Sequence, residues 1–181
     1  IIVATGSTPR SVPGIKIDHK RIITSDEAIA LHEIPKSLMI MGSGAVGVEF
    51  ASIFSRFGSE VTLIELLPRL VPVEDEAISA ELEKSFKKQR IRCLTGTKVI
   101  TATASTAGVE IQAELPSGQL EKIKSDLLLV ATGRGPVTTG LGTEEVGLKL
   151  ESGYILVDDQ LRTNVPGISA VGDVITLGQP G

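Results

Sequence analysis

Leu38-Met39-Ile40-Met41-Gly42-Ser43-Gly44-Ala45-Val46-Gly47 is the most telling stretch of the chain. Four consecutive apolar residues read as a strand covered on both faces, as in a parallel sheet, rather than one half in water. Three glycines at G-x-G-x-x-G spacing follow. From Ala45 to Phe57 the period turns helical, with Val46, Phe50, Ile53, Phe54 and Phe57 predicted on one side, and Gly58 is placed to end the helix. Val61-Thr62-Leu63-Ile64 is the next apolar strand and closes at Glu65. The sum is a β-α-β unit with a glycine-rich turn at its first junction.

That turn carries a chemistry. Gly42 makes the tight bend. Gly44, lacking a side chain, lets backbone amides approach a pyrophosphate, and Gly47 lets the helix pack closely on the strand. The helix start adds unpaired amides and a partial positive charge. Glycine-rich turns also occur as plain structure, but here a strand, a helix and an acid at the right distance accompany the pattern. The acid is Glu65, 18 residues past Gly47. A carboxylate there can accept both hydroxyls of an adenosine ribose and repels a 2′-phosphate. Its plain alternative is a surface glutamate at a strand end. Arg69 lies four positions on and beyond Pro68, poorly placed to meet a phosphate, so NAD is expected rather than NADP. Glu49, two residues past Gly47, reads equally as a helix-stabilising acid and as a site residue.

Downstream, Asp75 to Lys88 reads as an amphipathic helix with Ile78, Leu82, Ser85 and Phe86 at helical spacing. Its basic tail, Lys84 to Arg92, reads as a solvated helix end that suits the macrodipole. Ile91 to Leu94 is a third strand. Then the period changes from continuous to alternating. Lys98 to Ala104, Val109 to Leu115 and Gln119 to Ile123 are separated by turn residues and form an expected antiparallel meander. Leu127 to Val130 returns as a buried strand ending in Ala131-Thr132-Gly133-Arg134. Residues 135–152 read as a connection, and Tyr154 to Val157 and Ile168 to Val171 as short strands leading to Gly172-Asp173. Upstream, residues 1–6 read as a buried strand, 7–23 as a connection, and Thr24 to His32 as a helix stopped by Pro35. Ala4-Thr5-Gly6 echoes Ala131-Thr132-Gly133. The expected fold is α/β: a Rossmann-like parallel sheet with flanking helices and a three-stranded antiparallel meander.

A net charge of −4 over 181 residues leaves no basic face, which argues against nucleic acid and anionic membrane as partners. No apolar run approaches the roughly 20 residues of a membrane span. The single cysteine, Cys93, cannot form an internal disulfide and has no Cys-x-x-Cys partner, so it reads as a core residue. His19 and His32 take no assigned role, and metal-ligand spacing is absent. The chain opens on Ile1 rather than Met and stops in a loop-like Gly178-Gln179-Pro180-Gly181. Both ends read as cut from a longer parent.

Taken together, these segments resemble the two-dinucleotide flavoprotein disulfide reductases. Ala4-Thr5-Gly6-Ser7, Gly42 to Glu49, Val61 to Glu65, Ala131 to Arg134 and Thr163-Asn164-Val165-Pro166-Gly167-Ile168-Ser169-Ala170-Val171-Gly172-Asp173 occur in that family's order and spacing. Within it, Ile34 to Ser37 through Glu74-Asp75-Glu76 looks most like the dihydrolipoamide dehydrogenase branch; mercuric reductase and a stand-alone dinucleotide module are the alternatives. The resemblance implies that Gly42, Ser43, Gly44, Ala45, Val46 and Gly47 cradle the NAD pyrophosphate. It turns Glu49 toward the nicotinamide, sets Glu65 on the ribose and Val99 beside the adenine, and brings Gly133 near the cofactor. Thr5, Gly6 and Ser7 would touch FAD, and Asp173 its ribityl chain. It divides the chain into FAD-domain pieces at 1–35 and 153–181 and an NAD domain at 36–152. The family's first glycine-rich FAD motif, its redox Cys-x-x-x-x-Cys pair and its His-Glu acid-base pair are not in this sequence, so the chain by itself is expected to be inactive. The implied parent is a homodimer that serves lipoyl domains of 2-oxo acid dehydrogenase or glycine cleavage complexes, in bacterial cytoplasm or an organelle matrix.

Overall fold

Ser37–Met41 lies at the centre of a five-stranded sheet whose order is Ile22–Ile23, Leu127–Val130, Ser37–Met41, Glu60–Ile64, Arg92–Leu94. Every neighbouring pair is parallel. The computed structural model describes residues 1–176, so the loop-like Gly178 to Gly181 lie outside the described residues. The chain divides into two compact units, Pro9–Gly133 and a smaller one built from Ile1–Thr8 and the chain from Arg134 onward. The sheet belongs to the first. Its fifth strand, Ile22–Ile23, corrects the reading of residues 7–23 as a connection. Two residues carry no periodicity, and only their burial beside Leu128 and Leu129 makes them a strand.

Successive residues of a strand point to opposite faces. Leu38, Ile40, Leu63, Leu127 and Leu129 pack on one face against Ala51, Phe54 and Phe86 of the helices. Met39, Met41, Ile64, Leu128 and Val130 pack on the other, where Val109, Ile111, Ala113 and Ile123 meet them. Those last four come from the antiparallel meander of Lys98–Ser105, Gly108–Glu114 and Leu120–Ser125. Double coverage is why the parallel strands read as unbroken apolar runs and the meander strands as alternating ones.

Helix Ala45–Arg56 buries Gly47, Ala51 and Phe54. The buried side is rotated from the one the apolar spacing predicts. Val46 and Phe50 pack only partly against the core, while Ile53 and Phe57 are 44% and 63% exposed. The small residues Gly47 and Ala51 mark the line of closest approach, and the larger side chains flank it. Gly58, at φ 97°, ends the helix as predicted: its N–H donates to Ser55 O and that of Ser59 to Phe54 O, the Schellman arrangement. Helix Glu76–Lys88 starts at Asp75, whose side chain accepts from the Ala77 N–H at 2.8 Å. It buries Ser79 and Phe86, with Leu82 partly packed, whereas Ile78 stands exposed, against expectation.

The upstream helix is shorter than predicted, Ser25–Ile29, and opens with a capping box between Thr24 and Glu27. The Thr24 N–H holds the Glu27 carboxyl down to about 2, helped by the Thr24 hydroxyl and by His19, whose Nδ1 lies 2.9 Å from Glu27 Oε1.

In the smaller unit, Ile2–Val3 pairs in parallel with Ser169–Ala170. Tyr154–Leu156 pairs with Leu150–Glu151 antiparallel and with Ile175–Thr176 in parallel. Ile155, Ala170 and Val174 form its core. Ile1 and Ile2 are exposed rather than buried, because their strand has one neighbour among the described residues. Among those residues no helix is long and apolar enough to cross a membrane, and no His, Cys, Asp and Glu group could hold a metal.

Candidate functional site

A cleft of about 900 Å³ opens at the ends of the parallel strands, lined there by Met41, Ile64 and Ala131. Ser37–Met41 has later strands on both sides, Glu60–Ile64 on one and Leu127–Val130 on the other. Ligands of open α/β sheets bind outside the carboxyl ends of strands at such a reversal.

Each glycine of the turn meets a different demand. Gly42 has φ 102°, and a Cβ there would sit 2.4 Å from the Ala131 carbonyl oxygen. A Cβ on Gly47 would sit 1.9 Å from the Gly42 oxygen, so the helix start presses on the turn. Gly44 is the opposite case: nothing lies within 4 Å of where its Cβ would be, and it lines the cleft with Ala45 and Val46. It is also the N-cap of helix Ala45–Arg56, with no side-chain cap. The first amides of that helix are therefore free for an anion. A pyrophosphate fits a turn that is closed at Gly42 and Gly47 and open at Gly44.

Ser43 and Glu65 are arranged differently. Ser43 is wholly buried and Glu65 nearly so. Glu65 Oε2 accepts from the Ser43 N–H at 2.7 Å and from its hydroxyl at 2.8 Å. Oε1 accepts from the Leu67 N–H at 2.9 Å. The Ser43 carbonyl accepts from Val71, a buried β-branched residue held at φ 40°. The Ser43 amide thus points at Glu65 rather than into the cleft.

Val99 and Gly133 line the same cleft. Glu49 is exposed on the helix and is not among the lining residues. Arg69 is engaged elsewhere, donating to Glu76 Oε1 at 2.8 Å and to the Pro72 and Glu74 carbonyls. Val12, Pro13, Pro72, Thr97 and Lys98 also form the wall. They come from connections and a strand start, where no spacing announces proximity to Gly42.

Thr5, Gly6, Ser7 and Asp173 fall in the smaller unit. Ser7 donates to Asp173 Oδ2 at 2.7 Å, and Arg134 donates through Nε to the Ser7 hydroxyl at 2.7 Å. The echoed threonines behave alike: Thr5 donates to the Val137 carbonyl and Thr132 to that of Arg10. Cys93 is half-buried on the edge strand and packs against the helix-side core. Burial, and then the Glu83 carboxylate, push its thiol up to about 11.

The family model for pyridine nucleotide-disulphide oxidoreductases matches residues 1–180. A dihydrolipoyl dehydrogenase of Chlorobaculum tepidum is 44% identical over 174 residues, 96% of this chain and 37% of that protein. A mitochondrial dihydrolipoyl dehydrogenase of Arabidopsis thaliana is 42% identical over 97% of this chain and 35% of its own length. Among solved structures, LpdA from Mycobacterium tuberculosis superposes with a TM-score of 0.85 at 33% identity, over 97% of this chain and 38% of that one. The chain spans little more than a third of the curated relatives it matches.

Proposed function

The chain belongs to the pyridine nucleotide-disulphide oxidoreductase family, and from that premise we propose that it is the NAD(H)-binding portion of a flavin-dependent dihydrolipoamide dehydrogenase. Family membership brings FAD and a pyridine nucleotide with it. The observation that carries the finer reading is the cleft at the strand ends, where the open face of Gly44, the uncapped helix start and Glu65 converge. The turn from Gly42 to Gly47 holds the pyrophosphate, Glu65 takes the adenosine ribose, and Val99 and Gly133 flank the nucleotide. The dinucleotide portion is residues 36–152, and Thr5, Gly6, Ser7 and Asp173 face FAD from the flanking pieces.

FAD, when bound, supplies the hydride that NAD accepts, since no side chain can do so. This chain's part is to bind and orient the acceptor. Oxidation of dihydrolipoamide needs two thiols that exchange through a mixed disulfide, and Cys93 is the sole cysteine. The parent is then a homodimer serving lipoyl domains of 2-oxo acid dehydrogenase or glycine cleavage complexes, in bacterial cytoplasm or an organelle matrix. The test is to titrate the purified chain with NADH and assay NADH formation from dihydrolipoamide with FAD added. A colourless protein that binds NADH without turnover is expected. Turnover, or no NADH binding, overturns the reading.

A further inference from the structure

The C-terminal ends of the two long helices are fastened together. Ser55 Oγ donates to the Gln89 carbonyl at 3.1 Å, and Ser52 Oγ to Gln89 Oε1 at 3.3 Å. Gln89 Nε2 donates in turn to Ser85 Oγ at 3.3 Å. This brings Arg56, the last residue of one helix, beside Lys87, Lys88 and Arg90 at the end of the other. The Glu60 N–H donates to the Lys36 carbonyl, which adds a fifth cation at the start of the neighbouring strand. All five are exposed, and among the described residues none of them lies in an ion pair. Glu60 is the one acid within residues 55–60 and 85–92.

A helix C-terminus carries about half a negative charge, so two such ends account for about one cation, not four. The excess stands on a chain whose net charge is −4, a basic end that the overall charge conceals. Apolar surface lies with it. Ile53 and Phe57, one turn apart, are exposed, and so is Ile34. Ser59 Oγ donates to the Pro35 carbonyl at 2.6 Å, so Ile34 and Phe57 flank the same hydrogen bond.

We propose that this end of the helical layer docks an acidic protein segment, rich in Asp and Glu and carrying an apolar side chain. Its carboxylates meet Arg56, Lys88 and Arg90, and its apolar side chain covers Phe57 and Ile53. Charge complementarity selects the anion, since arginine forks match carboxylates. The exposed Phe and Ile select a peptide, because a phosphate backbone has no apolar surface to lay on them. An aromatic anchor beside arginine is also the composition of interface centres. The surface is separate from the cleft: helix Ala45–Arg56 has 12 residues, which sets Arg56 about 18 Å from the glycine-rich turn.

The experiment follows the anisotropy of a labelled peptide, alternating Glu and Asp around a central Leu, titrated with the 181-residue chain. Binding should weaken as salt rises from about 50 to about 150 mM. Arg56→Glu with Arg90→Glu should lower affinity about tenfold or more, and Phe57→Ala several-fold. Lys149→Glu, at an exposed cation of the smaller unit, should stay within about twofold of the unaltered chain. NADH affinity should be the same in every variant. No peptide binding at low salt, no salt dependence, or an equal loss in Lys149→Glu overturns the proposal. So does a DNA duplex or a phosphatidylserine vesicle that binds as tightly as the peptide. Self-association that Arg90→Glu abolishes overturns it too, and gives the surface to a second copy. Should the double variant not fold, Lys88→Glu replaces it, with a loss of several-fold expected and no loss overturning the proposal.

Discussion

Two hydrogen bonds run from Ser43 to one oxygen of Glu65, at 2.7 and 2.8 Å, and they tie the glycine-rich turn to the end of the next strand. The acid expected to meet the nucleotide is thereby also a structural tether. Substitutions at Glu65 should therefore register in stability as well as in affinity.

Glu65→Gln should weaken NADH binding by roughly tenfold or more, since hydrogen bonds to a charged acceptor contribute about 1.5–3 kcal/mol. NADPH should bind the unaltered chain less tightly than NADH, because the carboxylate repels a 2′-phosphate. Calorimetric titration of both cofactors measures it. NADPH binding as tight as NADH would shift the choice of cofactor to Lys98, the cation on the cleft wall.

Gly44→Ala and Gly47→Ala should separate binding from folding. At Gly44 the new methyl meets nothing within 4 Å, so the thermal midpoint should hold while NADH affinity falls. At Gly47 it would lie 1.9 Å from a backbone oxygen, which forces the turn to move. A loss of roughly 1–3 kcal/mol or more is expected there. Equal midpoints for the two variants would contradict the geometry.

Phe54→Ala should cost about 3–5 kcal/mol, as for other buried aromatics. Ile53→Ala and Phe57→Ala, on the exposed side, should cost well under half of that. Urea unfolding of the three variants reads the difference. Similar losses would mean that the helix packs on the side its large residues suggest.

Cys93 should be slow to alkylate at pH 8, its thiol being raised from 9.0 to about 11 by burial and the Glu83 carboxylate. The folded value lies above the unfolded one. Its contribution to stability is therefore full below pH 9 and is lost as pH rises through about 11. Thiol labelling against pH, with and without denaturant, follows both. Rapid labelling of the native chain at pH 8 would show a more open thiol.

Four of the five parallel strands, the turn and the meander were legible in the amino-acid order alone. Their signals are local: unbroken apolar runs at Leu38–Met41 and Leu127–Val130, glycines at fixed spacing, and a change of period at Lys98. Gly58 and Asp75 likewise act on their own neighbours through backbone hydrogen bonds, so the helix ends they set were legible in advance. Other features depend on contacts between distant segments. Ile22–Ile23 became a strand only through Leu128 and Leu129, more than a hundred positions away. Which side of helix Ala45–Arg56 is buried depended on how closely it approaches the sheet, so Gly47 and Ala51 outranked Ile53 and Phe57. Spacing placed Glu65 at the end of its strand, but not its lone pairs. The folded turn points Ser43 inward, and its N–H and hydroxyl, 22 positions before Glu65, both donate to one oxygen of that carboxylate, an engagement that no motif announces.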